Sequence, residues 1–406
     1  MSNLASTSRA QMRYILESVF GVTPSTGNPK NLRFVGESFD FALTKETSKE
    51  IRPDRQLTGA VTVDAKSSGD LNIHMQYAEY DPLLEALLLS SFAPFGTMGV
   101  STSFAAAYTA NTITATAAPT GTSDFTTLAP GQWFRVTHPT NPNDGKVFRV
   151  SLTVPATTTV LTLDASTVAV VSAGGAGAAL QTSRLSNGVL ERSFTVEKSF
   201  NDVSQFFAYR GQYVSKMMLK FASGALLDGS FSFMGRDAIR ANATTLPGSP
   251  IASQTYQIQN AVTGVGQIWE GGAPLTSTYI KSLDLSFDNN LRGQNAIGNL
   301  GPVGIGVGDF AATGTFQAYF ANGALFDKFR NDIYSALCIS CQDSFGNGYV
   351  ITHPRIMLMS CKVVASGKNG DVMADFAFTA FSDDANTNAA LRKSTFIDRI
   401  GLAVAP

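Results

Sequence analysis

Alternation of apolar and polar positions dominates this chain. Phe39-Asp40-Phe41-Ala42-Leu43-Thr44 and Leu71-Asn72-Ile73-His74-Met75-Gln76-Tyr77 send one side chain in two to a buried face, which predicts half-buried β-strands. Between them, Arg52-Pro53-Asp54-Arg55 reads as a charged loop. Two segments carry helical spacing instead. Met12, Ile15, Leu16, Val19 and Phe20 fall at i, i+3, i+4, i+7 and i+8. That spacing predicts a short helix capped by Ser8, ended by Gly21 and Pro24, and docked by its one apolar face. Asp81-Pro82 opens Leu83-Leu84-Glu85-Ala86-Leu87-Leu88, with Asp81 expected as N-cap and Pro82 as the first helical residue.

From Ala93 to about Thr182 the chain turns to Thr, Ala, Ser, Gly and Val with almost no charge. Trp133-Phe134-Arg135-Val136 and Lys146-Val147-Phe148-Arg149-Val150 read as paired strands around Asn143-Asp144-Gly145, an Asp-Gly hairpin signal. Val160-Leu161-Thr162-Leu163 adds a strand. The stretch reads as a small β-module.

An internal repeat organises the rest. Gly59 to Asp64, then Gly69-Asp70-Leu71, is echoed by Gly304 to Asp309, then Gly314-Thr315-Phe316. The helix after it repeats as Ala324-Leu325-Phe326-Asp327-Lys328-Phe329. Met217 to Lys220, Ser223-Gly224 and Gly229 to Phe233 find partners in Met359 to Val363, Ser366-Gly367 and Ala374 to Phe378. The first offset is about 245 and the second about 143, so the first copy holds about 102 extra residues between these landmarks. The Thr/Ala-rich module sits there and is about that size. The expected organisation is therefore residues 1–92 plus 183–240 as one domain, 93–182 as an insert, 241–255 as a linker and 256–406 as the second domain. The fold class is mainly β, with two tandem β-sandwich or barrel domains, each carrying a flanking α-helix, and a small inserted β-module.

Composition narrows the function. Thirty Lys+Arg against 31 Asp+Glu leave a net charge of −1, which excludes the broad basic face of a phosphate-gripping protein. Charged residues make up 15%, against about 25% in an ordinary soluble domain. A weakly charged, Thr- and Phe-rich chain points to β-structure with much surface buried against neighbours. The polar start (Ser2, Asn3, Ser6, Thr7, Ser8) has no basic-then-apolar leader, and the run Leu83 to Leu89 is too short to span a bilayer. Three cysteines, an odd number, argue against a disulfide framework. Synthesis in a reducing cytoplasm is expected.

Candidate chemistry is sparse. Cys338-Ile339-Ser340-Cys341 has CxxC spacing, yet its flanks read as strand, where i and i+3 point to opposite faces. Buried, inert thiols are expected. Gly304-x-Gly306-x-Gly308 leads into a strand where a phosphate loop needs a helix. His74, His138 and His353 are scattered, and no paired-carboxylate motif stands out. No catalytic residue, metal site or cofactor is expected. One acidic pattern gains meaning from the repeat: Asp40 and Asp284 both lie between apolar neighbours, and Asp64 matches Asp309. These four form either a solvated strand face or a ring of negative charge around a channel.

Several blocks, taken in order, resemble the phage tail tube (major tail) proteins of long flexible-tailed, siphovirus-type phages. They are Tyr14 to Pro24, Ser48 to Gln56, Asp81 to Leu88, Ser183 to Gly188, Arg192 to Glu197 and Gly229 to Gly235. Together they cover most of the chain outside the insert. The resemblance implies a structural virion protein, assembled in the host cytoplasm, whose inner sheets join between neighbours into a barrel and whose rings stack head-to-tail. Its implied partners are other copies of itself, the tape-measure protein, and the tail terminator and distal tail proteins. DNA is implied only in transit through the lumen. Duplication predicts three chains per ring as a pseudo-hexamer, or six chains using both copies differently. The insert then decorates the exterior. Arg52, Asp54 and Arg55 become candidates for contacts between stacked rings, with a solvated loop as the other reading. A β-rich receptor-binding protein or adhesin, with the Thr-rich module as a glycan-binding domain, is the alternative; an enzyme comes third.

Overall fold

A computed structural model of the chain describes residues 4–96, 99–116, 124–262, 265–275, 278–365 and 367–401. Ser366, one landmark of the repeat, and Ser2 and Asn3 lie outside the described residues. The first strand is β1 (Ala10–Leu16), followed by the long hairpin β2 (Asp40–Thr47) and β3 (Ala60–His74), then α1 (Asp81–Leu87). Six strands follow: β4 (Phe104–Tyr108), β5 (Thr112–Ala115), β6 (Trp133–Thr137), β7 (Val147–Arg149), β8 (Val160–Thr162) and β9 (Ser172–Gln181). Next come β10 (Ser183–Ser186), β11 (Phe194–Phe200), β12 (Gln205–Ala222) and β13 (Asp228–Gly235). The remainder holds β14 (Ile280–Asp288), β15 (Ala311–Tyr319), α2 (Ala324–Arg330), β16 (Ser335–Gln342), β17 (Gly348–Ala365), β18 (Val372–Ala380) and β19 (Phe396–Ile400).

The dominant feature is one antiparallel ladder in the order β2-β3-β13-β12-β14-β15-β18-β17. Its two halves repeat the same pairings. Leu71 stands opposite Phe231 as Phe316 stands opposite Phe376, and Gly69 opposite Phe233 as Gly314 opposite Phe378. Even the irregularity recurs, with a register shift between Val214 and Lys216 and another between Leu358 and Ser360. Such bulges bend a strand. β12 and β17 each run through two layers. The first part of β12 pairs with β11 and that of β17 with β16, while their later parts join the long ladder. Between the layers lies a continuous apolar core that includes Leu71, Met217, Phe231, Leu285, Phe287, Phe316, Phe376 and Phe378. α1 packs against β12 and α2 against β17.

β4 to β9 form a separate six-stranded sheet, order β7-β6-β9-β4-β5-β8, with its own apolar cluster around Ile113, Phe134 and Leu161. A bridge between Val150 and Leu163 ties its two outer edges together, so the sheet curls on itself. β6 and β7 pair as expected, joined by residues 138–146, which include Asn143-Asp144-Gly145.

Two expectations fail locally. The helix over Met12 to Phe20 is strand β1, paired with β11 from Ala10↔Phe200 to Leu16↔Phe194 and with Lys30–Leu32 on its other edge. Met12 and Tyr14 are buried while Leu16 and Val19 are exposed, so alternation operates apart from Ile15, which is buried as well. Two ladder partners override the local pattern. At α1, Tyr80 holds the cap position and Asp81 is already helical. The Asp81 carboxylate instead accepts from the Tyr349 hydroxyl and the Arg399 guanidinium, which ties the first helix to the last strands.

Candidate functional site

An open ladder ends in two bare edges. β2 pairs with β3 on one side only, and over Met359–Ala365 β17 pairs with β18 on one side only, among the described residues. Exposed strand edges of this length template pairing with another chain. In the middle of the ladder the same kind of edge is covered: β12 meets β14 from Lys216↔Asp288 to Ala222↔Ser282, joining the two halves.

The ladder's inner face is apolar, and its outer face is mostly small, polar and charged with both signs, with Met218 and the row Tyr319–Met373–Val364 as larger apolar members. Alternation puts Ser230, Ser232, Ser282, Ser286, Thr313, Thr315 and Thr379 outward, along with Asp40, Asp70, Asp228, Asp284, Asp288 and Asp375. Lys66, Lys216, Lys220 and Lys362 share that face. Lys220 stands opposite Asp228 on one side and Asp284 on the other, and Lys216 opposite Asp288. The lysines escaped the sequence reading, which singled out only acids for a channel wall. Their signal was present in Lys216-Met217-Met218-Leu219-Lys220, where charges alternate with buried side chains.

The four acidic candidates do not occupy one kind of place. Asp40 is exposed at the start of β2, on the free edge. Asp64 is half-buried in β3, and its Oδ1 accepts from the Ala65 backbone N–H at 2.9 Å. Asp284 is half-buried in the middle of β14, between β12 and β15. Asp309 is exposed in the turn before β15, where its carbonyl accepts from Asn290 Nδ2 at 2.8 Å. Because Phe41 stands opposite Ser67 and Phe287 opposite Ala312, the shared register aligns Asp40 with Ser286 and Asp284 with Ser38. Asp40 and Asp284 thus share a face but sit two positions apart in the repeat.

Arg52, Asp54 and Arg55 lie on the exposed tip of the β2–β3 hairpin. Arg52 donates to both carboxylate oxygens of Asp54, from Nε at 3.0 Å and Nη2 at 2.6 Å. Arg55 holds a left-handed backbone (φ 57°), and its N–H donates to the Arg52 carbonyl. The tip is a preformed turn, not a slack loop. Ile51 and Leu57 beside it are almost wholly exposed.

Cys338 and Cys341 point to opposite sides of β16, as strand geometry requires. Cys338 packs with Trp133, Val350 and Ile400, while Cys341 joins the main core. Burial pushes both thiols up to about 12, so neither is a thiolate near neutrality. Gly304–Gly306 is a short strand paired with Arg292–Gln294, followed by strand β15 and no helix. His74 Nδ1 meets Asp228 Oδ1 at 2.8 Å on the outer face, and His138 Nδ1 meets the Tyr108 hydroxyl at 2.9 Å inside the small sheet. His353 is fully buried, stacked on Phe287 and beside Phe378, and burial lowers it to about 4.

A cleft of about 780 Å³ lies between β1 and α1. Its charged groups are already engaged: Asp81 with Arg399, Glu85 with Arg192 at 2.7 Å, and Lys30 Nζ on the Glu79 carbonyl at 3.1 Å. No cluster of three or more metal-ligating side chains occurs among the described residues, and no helix among them is long and apolar enough to cross a membrane.

A duplicated β-fold with an open ladder, a polar outer face and two unsatisfied edges defines a subunit made to be joined to others. The family described as phage tail tube protein matches residues 7–380 of this chain, nearly its whole length. The chain belongs to that family, is a structural component of the phage tail, and is not a member of an enzyme family. No curated protein matches it.

Proposed function

We propose that the chain polymerises into stacked hollow rings that form the tail tube of a siphovirus-type phage, with three chains closing each ring as a pseudo-hexamer. One observation carries this reading. Within one chain, two equivalent four-strand units are already joined edge to edge by the β12–β14 ladder, and each end of the resulting sheet is bare. Repeating that join between chains removes both free edges of this ladder, because a closed barrel has none. Six chains per ring would need the two copies to make different joins, and the recurrence of the bulge and of the glycine–phenylalanine pairings favours equivalence.

The outer face of the ladder then lines the lumen. Serines, threonines and interleaved Asp and Lys offer a travelling phosphate backbone no cluster of cations to hold it. DNA passes, the tape-measure protein occupies the bore during assembly, and Asp40, Asp64, Asp284 and Asp309 contribute negative charge along the wall or at its rim. Rings stack head-to-tail, a heterologous contact that propagates, with the Arg52–Arg55 hairpin tip reaching the next ring. Tail terminator and distal tail proteins cap the two ends. Residues 1–92 with 183–240 form the first tube domain, 256–406 the second and 241–255 the linker. The small sheet of residues 93–182 decorates the exterior.

Negative-stain electron microscopy of the purified protein tests the reading. Hollow tubes, or rings with an open centre, are expected. Compact trimers with affinity for glycans would favour the adhesin instead.

A further inference from the structure

The internal seam also specifies the seam between chains, residue by residue. In the β12–β14 ladder, Met217 stands opposite Phe287 on the core side and Met218 opposite Ser286 on the outer side. β12 corresponds to β17 with Met217 on Cys361, because these two stand opposite the equivalent residues Phe231 and Phe376, just past the same bulge. β14 corresponds to β2 with Phe287 on Phe41, because these stand opposite the equivalent residues Ala312 and Ser67. Carrying the internal pairs across, Cys361 meets Phe41 of the next copy, Lys362 meets Asp40 and Ser360 meets Ala42.

We infer that a second copy of this chain adds its β2 edge to the β17 edge in this register, with Lys362 of one copy opposite Asp40 of the next. The inference rests on the ring reading above and names its contact. Both edges suit it chemically. Cys361 and Phe41 are half-buried and packed against the main core, so the join completes an apolar layer that each chain leaves open. Lys362 and Asp40 are exposed, opposite in charge, and in no ion pair among the described residues.

The main chain agrees. Ser38 N–H donates to the Asp70 carbonyl, so alternate residues Asp40 and Ala42 turn their main-chain groups toward β3, and Phe41 and Leu43 turn theirs to the open edge. Phe39 is excluded from the new ladder, since its carbonyl already accepts from the Tyr209 hydroxyl at 3.0 Å. The join therefore runs over Asp40–Leu43 and Met359–Lys362. Asp40 and Lys362 fall at a non-hydrogen-bonded position, where opposing Cα atoms approach to about 4.5 Å and side chains are closest.

Paired cysteines read the register directly. In full-length protein carrying Cys361→Ala, the pair Asp40→Cys with Lys362→Cys is expected to link chains covalently on mild oxidation of assembled tubes. A ladder ending at the ring's chain number follows on a denaturing gel. The pair Asp40→Cys with Val364→Cys, shifted by two residues on the same face, is expected to link poorly. Efficient linking of the shifted pair with none at Lys362, in intact tubes, overturns the register and leaves the ring reading standing. Absence of any hollow assembly by the unmodified protein overturns the ring reading itself. Charge exchange is the second arm, for use should the cysteine pair not assemble. Lys362→Asp and Asp40→Lys each slow tube formation several-fold and the double exchange restores part of it, since Asp375 of the same chain still stands opposite residue 362. Singles that assemble like the parent, or a double as impaired as the singles, count against the contact.

Discussion

Lys220 stands directly across the ladder from Asp284, at the seam where the two halves of the chain meet, with Asp228 on its other side. The seam is thus marked by a cation between two carboxylates on the face turned away from the core. Lys220→Glu would set three carboxylates in one row and is expected to cost on the order of 1 kcal/mol, the usual scale for like charges at direct cross-strand positions. Lys220→Gln should cost less than half of that. Urea unfolding at low salt measures both, and the gap should shrink in molar salt as screening shortens the reach of charge.

The duplication makes a prediction about two glycines. A Cβ at Gly69 would lie 2.4 Å from the Phe39 Cα, and one at Gly314 would lie 2.5 Å from the Phe378 ring. Both strands need a residue without a side chain so that the neighbouring segment can close on the core. Gly69→Ala and Gly314→Ala are each expected to lose about 1–3 kcal/mol through overpacking. Gly36→Ala, with nothing closer than 3.7 Å and no left-handed backbone, should be neutral or slightly stabilising. Equal stability of all three variants would argue against a shared packing need.

These two glycines also show how far sequence reasoning reached. Gly69 and Gly314 were legible as landmarks at one spacing because a close approach permits no other residue there. The strands were legible because burial on one face writes period two into Leu71-Asn72-Ile73 and Phe231-Ser232-Phe233. β1 was not, because Met12, Ile15, Leu16 and Val19 satisfy a helical spacing while Met12 and Tyr14 satisfy a strand, and only the partners β11 and Lys30–Leu32 decide. The alignment of Asp40 with Asp284 rested on apolar flanks. A slip of two residues preserves those flanks and the face, so only the ladder exposes it. Contacts such as Trp133 with Trp269, or Arg184 with Asp398, join residues more than a hundred positions apart and leave no local trace.

The second of those contacts predicts how the small sheet is held. Arg184 donates to both oxygens of Asp398 at 2.7 Å, and Asp398 also accepts from the Trp133 backbone N–H at 3.0 Å. Asp398 is fully buried. Asp398→Ala leaves a buried guanidinium without its counterion and should cost about 3–5 kcal/mol. The chain's two tryptophans, with ring centroids 4.5 Å apart, report on it, since a loosened sheet separates Trp133 from Trp269. A changed emission spectrum before global unfolding is expected; an unchanged one would show that the sheet is held elsewhere.

Acid should weaken the fold through His353. Its Nδ1 lies 3.1 Å from the Ser394 carbonyl and 3.2 Å from the Thr395 hydroxyl, and its Nε2 is buried without an acceptor, so a proton there has no partner. Well above pH 6.5 the ring is neutral in both folded and unfolded chains. As pH falls from 6.5 to about 4, the unfolded chain takes up a proton that the folded chain refuses, and stability drops. The share of this one group is as much as about 3 kcal/mol across that window. His353→Gln should flatten the stability profile between pH 6.5 and 4; an unaltered slope would assign the acid sensitivity to other groups.

The hairpin tip carries a prediction about tube length. Arg52→Glu removes the donor that fixes Asp54 and sets a carboxylate beside it. Rings should survive and tubes should shorten, as counted in micrographs. Tubes of unchanged length would remove the tip from the stacking contact.

The most direct measurement is an averaged cross-section of the assembled protein by electron cryomicroscopy. The account predicts a hollow ring of three chains, its wall a continuous sheet in which β17 of each chain pairs with β2 of the next, and its lumen lined by the face that bears Lys220 and Asp284. A solid particle, or a channel lined by the small sheet of residues 93–182, would contradict it.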